Sequence, residues 1–276
     1  MKNKPRDKTS FLKDKASWLR KEVLRMHQCA PEIRIASCLS TIEIFTVLYY
    51  GKLLNYNFKN TLWQKRDRFI ISKGHGAVAL YPILADFGLL DKNDLKKICK
   101  EGSDLGSIPD CLLSGFEFIT GSLGHGLGVA CGMAIALKRR KSKSSIFVLM
   151  GDGELYEGSV WEAIMFAAHH HLDNLILIID NNKICMLDYC KNIIDMFPLD
   201  KKFEAFRWDV HTVDGHDVEG LAHTLKKLKS DGAGKPKVLI ANTVKGKGAL
   251  CLETDPLCHI KSLKTDEVDR IITELE

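Results

Sequence analysis

Two segments of this 276-residue sequence place hard oxygen donors directly behind apolar runs. Ile146-Phe147-Val148-Leu149-Met150 leads into Gly151-Asp152-Gly153-Glu154, and Leu175-Ile176-Leu177-Ile178-Ile179 leads into Asp180-Asn181-Asn182-Lys183-Ile184. Singly, Asp-Gly and Asn-Asn are common turn formers. As a pair, each closing an apolar run, they offer a carboxylate and an amide oxygen to one cation. Mg2+ wants an octahedron of oxygens and usually draws some of them from a phosphate group, so a diphosphate would complete the shell. The glycines flanking Asp152 let a ligand approach the backbone. A second glycine-rich segment, Thr120-Gly121-Ser122-Leu123-Gly124-His125-Gly126-Leu127-Gly128, runs into a helix with small residues at Gly128, Ala130 and Gly132, leaving amides available at a helix N-terminus. No strand precedes it, so it is not a dinucleotide fingerprint. Two histidines also follow apolar runs, His75 in Ser72-Lys73-Gly74-His75-Gly76 and His216 in Asp214-Gly215-His216-Asp217. An isolated histidine is most often structural or solvated. Two at strand ends, beside the oxygen donors, point to an active site.

These residues need elements to position them. Apolar residues at helical spacing predict helices over Phe11 to Cys29 and Leu39 to Tyr50. Short β-type runs then alternate with helical stretches: Arg68 to Ser72 before Ala77 to Phe87; Ser145 to Met150 before Gly158 to His170; Leu175 to Asp180; Asp209 to Val213 before Val218 to Leu228; Val238 to Thr243; and a last helix from Asp266 to Leu275. The alternation predicts an α/β fold with a doubly wound, mostly parallel sheet and helices on both faces. Continuous apolar runs such as 146–150 and 175–179 read as strands buried on both sides. In such sheets ligands lie beyond the carboxyl ends of the strands, where these motifs fall. One domain over residues 11–276 is expected, behind a disordered or loosely ordered tail at 1–10.

Composition excludes several classes. A 45% hydrophobic, 27% charged chain is globular. Forty basic and thirty-five acidic side chains give +5. The excess is spread over residues 1–25 and Lys138-Arg139-Arg140-Lys141, too diffuse for a nucleic-acid footprint. The longest uncharged apolar-rich stretch, Leu123 to Leu137, is too short and glycine-rich to cross a bilayer, and the polar N-terminus lacks a signal-peptide core. Nine cysteines without a C-x-x-C pair read as free thiols of a cytoplasmic protein.

The motifs, in this order, resemble the N-terminal, diphosphate-binding domain of transketolase from about residue 15 onward. The resemblance includes the thiamine-diphosphate signature GDG followed by NN at the end of the next strand. It implies the thiamine-diphosphate-binding fold, with Mg2+, or Ca2+ in its place, on Asp152, Asn182 and the main-chain carbonyl of Ile184. It puts Gly151, Gly153, Glu154 and Asn182 at the cofactor, the backbone of Gly121 and Leu123 at its aminopyrimidine, and His75 near the diphosphate and reacting centre. Glu157 and Glu162 would join a carboxylate network linking two cofactor sites, and His75, His216 and Glu157 would form the catalytic set, with His216 facing substrate. In such enzymes the cofactor carries the difficult step, and the protein supplies orientation, electrostatics and proton transfer.

Two departures bear on the substrate side, where the resemblance places Arg34, Ile108 and His125. Ile33-Arg34-Ile35-Ala36-Ser37 stands where the family has Gly-His-x-Gly-Gly, so Arg34 replaces a substrate-site histidine. Gly106-Ser107-Ile108-Pro109-Asp110 replaces a Gly-x-His-Pro type turn, leaving Ile108 where a histidine meets the donor's terminal hydroxyl. An aliphatic wall leaves that hydroxyl unpaired at a cost of about 1–3 kcal/mol, and would accept a methyl group. The function implied is transfer of a two-carbon ketol unit between sugars or sugar phosphates. The alternatives are acetyl transfer from a pyruvate-like 2-oxo acid to a sugar or other carbonyl acceptor, and a non-catalytic cofactor-binding module. The intact Asp152, Glu157, Asn182, His75 and His216 argue against the module. A Rossmann-like nucleotide enzyme is disfavoured because no G-x-G-x-x-G follows the first strand. After Thr243-Val244-Lys245-Gly246-Lys247-Gly248 and one helix the sequence ends. The expectation is therefore the N-terminal subunit of a split enzyme, an α2β2 heterotetramer whose second subunit brings the pyrimidine-binding and C-terminal domains.

Overall fold

The computed structural model describes residues 7–232 and 234–275. Among them, strands β1 (Arg68–Ile71), β2 (Ile146–Gly151), β3 (Leu175–Asn181), β4 (Asp209–Asp214) and β5 (Lys237–Asn242) form a wholly parallel sheet in the order β1-β2-β3-β5-β4. The helices are α1 (Lys8–Cys29), α2 (Ile35–Leu39), α3 (Ile42–Tyr49), α4 (Leu80–Asp86), α5 (Gly126–Arg139), α6 (Gly158–His169), α7 (Cys190–Ile193), α8 (Leu199–Ala205), α9 (Val218–Ser230), α10 (Leu250–Glu253) and α11 (Thr265–Glu274). One core unites α1, α3, α4, α9 and α11 on one face of the sheet, and a second unites α5, α6 and α8 on the other. The sheet is doubly wound, as expected. Covered on both faces, β3 is buried throughout and β2 up to Gly151, which explains their unbroken apolar sequence. β4, at the edge, is only half-buried.

The winding determines where ligands can enter. After β2 and β3 the chain passes to α6 and α8 on one face, whereas after β1 and β5 it passes to α4 and α10 on the other. Neighbouring strands whose continuations diverge leave a crevice at their carboxyl ends. Two such crevices flank β2 and β3, and the register sets Gly151 opposite Asp180 and Asp180 opposite Ala241.

Some boundaries differ from expectation. The first helix starts at Lys8, so residues 8–10 of the expected loose tail are helical; residues 1–6 lie outside the described residues. The expected helix 39–50 is split into α2 and α3 at Ser40 and Thr41. The Thr41 hydroxyl donates to the Cys38 carbonyl at 3.1 Å, and the Ser40 hydroxyl turns to Asp180 at 2.8 Å, so side chains compete with the helical ladder there. The helical stretch after β1 begins as a 3-10 turn over Gly74–Ala79.

The start of α5 rests directly on the end of β1. A Cβ at Gly126 would lie 2.6 Å from Ser72 Cβ and 3.1 Å from its Cα, whereas one at Gly132, further along the helix, would meet nothing within 4 Å. Gly126→Ala is therefore expected to destabilise the chain by about 1–3 kcal/mol through overpacking. Gly132→Ala should be neutral or stabilising by up to about 1 kcal/mol, by the helix propensity gained. Urea unfolding of both variants checks this; equal midpoints would contradict the close α5–β1 contact.

Candidate active site

The carboxyl ends of β1, β2 and β3 and the segments after β5 wall a cavity of about 360 Å³. A hollow of similar size lined by His169, Arg207 and Lys235 lies at the opposite, amino ends of the strands and holds none of the strand-end donors. The site cavity is lined by Lys73, Gly74 and His75 behind β1, by Gly151 to Glu154, Tyr156 and Glu157 behind β2, by Asn182 and Ile184 to Leu187 behind β3, and by Lys245 behind β5. Ser37 of α2, Gly121 and Leu123 of the glycine-rich segment, Ile193 and His259 complete it.

Asp152, Asn182 and Ile184, the expected oxygen donors, are among the cavity's lining residues. Asp152 is buried, with Oδ1 accepting from the Gly153 amide at 2.8 Å and Oδ2 accepting from the Lys183 amide. Lys183 reaches that position in the left-handed region, at φ 65°. Burial and then the neighbouring Asp180 charge push the Asp152 carboxyl up to about 6, against the pull of the Lys183 amide, Lys245 and the Gly153 amide. Asn182 directs its Nδ2 at Asp180 and accepts from the Ile184 amide through Oδ1 at 3.2 Å. The Ile184 carbonyl accepts from the Lys245 ammonium at 2.6 Å. Burial, followed by the Lys73 charge, lowers the Lys245 pKa, against the pull of Asp152. Among the described residues no three His, Cys, Asp or Glu side chains form a metal cluster, so any metal here would rest on one carboxylate plus amide and main-chain oxygens.

The cavity is also lined by Glu154, His75 and His259. Glu154 is buried, with Oε1 accepting from the Ser72 hydroxyl and, at 2.9 Å, from the Gly124 amide. Its Oε2 has no hydrogen-bond partner. Burial raises its pKa above the usual carboxylate range, although Ser72 and the Gly124 amide oppose this. His75 packs edge-on to His259 with ring centroids 5.2 Å apart, and His259 Nδ1 lies 3.2 Å from Ser37 Oγ. Burial, followed by the charges of Arg34, Lys73 and Lys245, lowers the His75 pKa. Burial, then Lys245, His75, Lys73 and Arg34, press His259 down to about 3. Both rings are therefore neutral near pH 7 and able to donate and accept hydrogen bonds.

Residues 32–275 match the family described as "Transketolase, thiamine diphosphate binding domain". The chain belongs to the transketolase family. It is 42% identical over 267 residues to an apulose-4-phosphate transketolase subunit of Actinobacillus succinogenes, covering 96% of each. It is 36% identical over 243 residues to the 6-deoxy-6-sulfo-D-fructose transketolase subunit SqwG of a Clostridium species, covering 88% of each. The crystal structure of transketolase from Campylobacter jejuni superposes with a TM-score of 0.87 at 32% identity, over 96% of this chain but 42% of that one. Thus the chain spans nearly all of the Actinobacillus relative and about two fifths of the Campylobacter transketolase.

Within this transketolase frame the cavity gathers His75, Gly121, Leu123, Gly151, Asp152, Gly153, Glu154, Glu157, Asn182 and Ile184, all anticipated from sequence. Others stand apart. His216, expected to face substrate, does not wall the cavity: Nε2 accepts from the Val244 amide at 2.8 Å and Nδ1 lies 2.9 Å from Glu43 Oε2. With Nε2 an acceptor, Nδ1 carries the proton, and the ring anchors the residue before Lys245. Glu162 lies exposed on α6, and His125 is exposed at the start of α5. Arg34 is half-buried just before α2 and its charge reaches both histidines. Ile108 lies against Gly74: its Cγ2 is 3.1 Å from where a Cβ on that glycine would be.

Sequence reasoning missed Lys245, His259, Lys73 and Ser37. Lys245 carried a usable signal, a lysine amid glycines just past an apolar run. His259 carried none, because it belongs to an irregular loop that only tertiary packing brings to His75.

Proposed function

We propose that this chain is the diphosphate-binding subunit of a two-subunit transketolase, which transfers a two-carbon ketol unit between sugars or sugar phosphates. The observation that carries this reading is the set of oxygens at Asp152, Asn182 and Ile184, at the ends of adjoining strands in a chain whose relatives are named transketolase subunits. The donor set suits a hard divalent ion, Mg2+ or Ca2+, and Asp152, pressed towards protonation without one, gains a counter-charge from it. Lys245 adds a cation for a diphosphate, and the orphan Oε2 of Glu154 supplies a buried acceptor for a polar group of the cofactor. Thiamine diphosphate, when bound, supplies the carbon nucleophile and stabilises the carbanion of the transferred fragment.

The chain's own residues then have distinct tasks. His75 and His259, neutral and paired, hydrogen-bond the hydroxyls of the transferred unit and pass protons at its oxygen. Arg34 adds a guanidinium suited to an anionic substrate group, and Ile108 shapes the wall behind Gly74. Gly121 and Leu123 present backbone at the cavity rim. Glu157, exposed at that rim, reaches towards a second subunit, which brings the pyrimidine-binding and C-terminal domains in an α2β2 assembly. No helix among the described residues is long and apolar enough to cross a membrane, and all nine cysteines are free, which supports a cytoplasmic setting.

The relatives' names, a ketose phosphate and a sulfo-ketose, favour sugar donors over the acetyl-transfer reading that Ile108 suggests. Xylulose 5-phosphate and pyruvate offered in competition to the reconstituted enzyme separate the two. Faster consumption of the ketose phosphate is expected, with a further gain for Ile108→His. Preferential pyruvate consumption with release of carbon dioxide would establish acyl transfer instead.

A further inference from the structure

Behind the oxygen donors lies a buried cluster to which neither the cofactor nor the substrate roles above assign a task. Asp180, fully enclosed near the end of β3, accepts from Ser40 Oγ at 2.8 Å and from Asn182 Nδ2 at 2.9 Å through Oδ2. The Lys73 ammonium pairs with that same oxygen, while the Thr243 hydroxyl takes Oδ1. The main-chain carbonyl of Asp180 also accepts from Asn182 Nδ2, at 3.3 Å. Lys73 is itself buried and donates to the Ser37 carbonyl at 3.0 Å. A buried ion pair is weak evidence for stability, because an apolar pair of similar volume often serves as well. Its contacts suggest another role.

A side-chain amide has two ends of nearly identical shape and opposite chemistry, and its terminal torsion has only a broad, roughly two-fold preference. At Asn182 only Oδ1 can ligate a cation. Nδ2 donates to Asp180 twice, once to the carboxylate and once to the carbonyl, and a reversed amide would set its oxygen against that carboxylate. We propose that the Lys73–Asp180 pair is a positioning device that holds the Asn182 amide with its oxygen towards the metal and thereby sets metal affinity. Lys73 fixes the position of that carboxylate through its contact with Oδ2, and it ties α2 to the same point through the Ser37 carbonyl. This inference rests on the metal site proposed above.

The test keeps charge constant. In a Lys73→Met background, Asp180→Asn retains an acceptor for Asn182 and Asp180→Ala removes it, both without net charge. Mg2+ is titrated calorimetrically into the full chain at saturating thiamine diphosphate, and thermal unfolding is followed in parallel. The asparagine variant should bind Mg2+ about 10- to 100-fold more tightly than the alanine variant, the usual effect of an outer-shell partner. In an added Asn182→Asp background, where the side chain has no wrong end, that difference should disappear. A purely structural role would alter unfolding and lower metal affinity equally in both backgrounds, which would overturn the proposal, as would equal Mg2+ affinity of the first two variants. Should the alanine variant not fold, Asp180→Val fills the space at a strand position and is read in the same way. Asp152→Ala separates the premises: if it leaves Mg2+ binding intact the metal site itself is wrong, and if it abolishes binding while the 180 variants match, only the positioning role fails.

Discussion

Asp152→Ala and Asn182→Ala are each expected to weaken Mg2+-dependent binding of thiamine diphosphate by on the order of 100-fold or more while leaving the fold intact. In the proposed site each would remove a direct oxygen donor from a set with few, and outer-shell changes alone typically cost 10- to 100-fold. The fold should tolerate the first because Asp152 lies at a strand end outside both apolar cores, so its truncation removes only the acceptor of the Gly153 and Lys183 amides. It should tolerate the second because Asp180 keeps Ser40, Lys73 and Thr243 after Asn182 is truncated. Calorimetric titration with cofactor, with and without Mg2+, and thermal melts of both variants provide the check. Unchanged cofactor affinity in both would mean that the strand ends do not hold the metal.

The fold was legible because its strands are buried on both faces, so the runs at 146–150 and 175–179 stand out without alternation, and the residues just past them fall at the ligand end of the sheet. That logic finds Asp152, Asn182 and His75, each within a few residues of a strand end. His216 has the same local signature, yet its ring meets Glu43 of α3, a residue far away in sequence, and is not part of the cavity lining. The same logic overlooks His259 and the Lys73–Asp180 pair because their partners come from other elements and leave no local pattern. The Ser40–Thr41 break between α2 and α3 is likewise invisible to periodicity, since the hydroxyl of Ser40 is drawn by a carboxylate on β3.

The second large effect concerns the partner. Leu123, Met186, Leu187 and Ile193, all substantially exposed, line the cavity, and in the proposed function the donors within it would serve the diphosphate end of the cofactor. A second subunit that covers these side chains and supplies the groups activating the aminopyrimidine should change the reaction from undetectable to full turnover. Cofactor binding to the isolated chain should be weak and tighten on assembly, because the second half of the site then contributes its own contacts. The most direct measurement is the rate of ketol transfer from xylulose 5-phosphate to an aldehyde acceptor, with saturating thiamine diphosphate and Mg2+, as purified partner subunit is titrated into the purified chain. No turnover is expected at zero partner, with a rise that saturates near equimolar subunits; steady turnover by the chain alone would contradict a site completed by a second subunit.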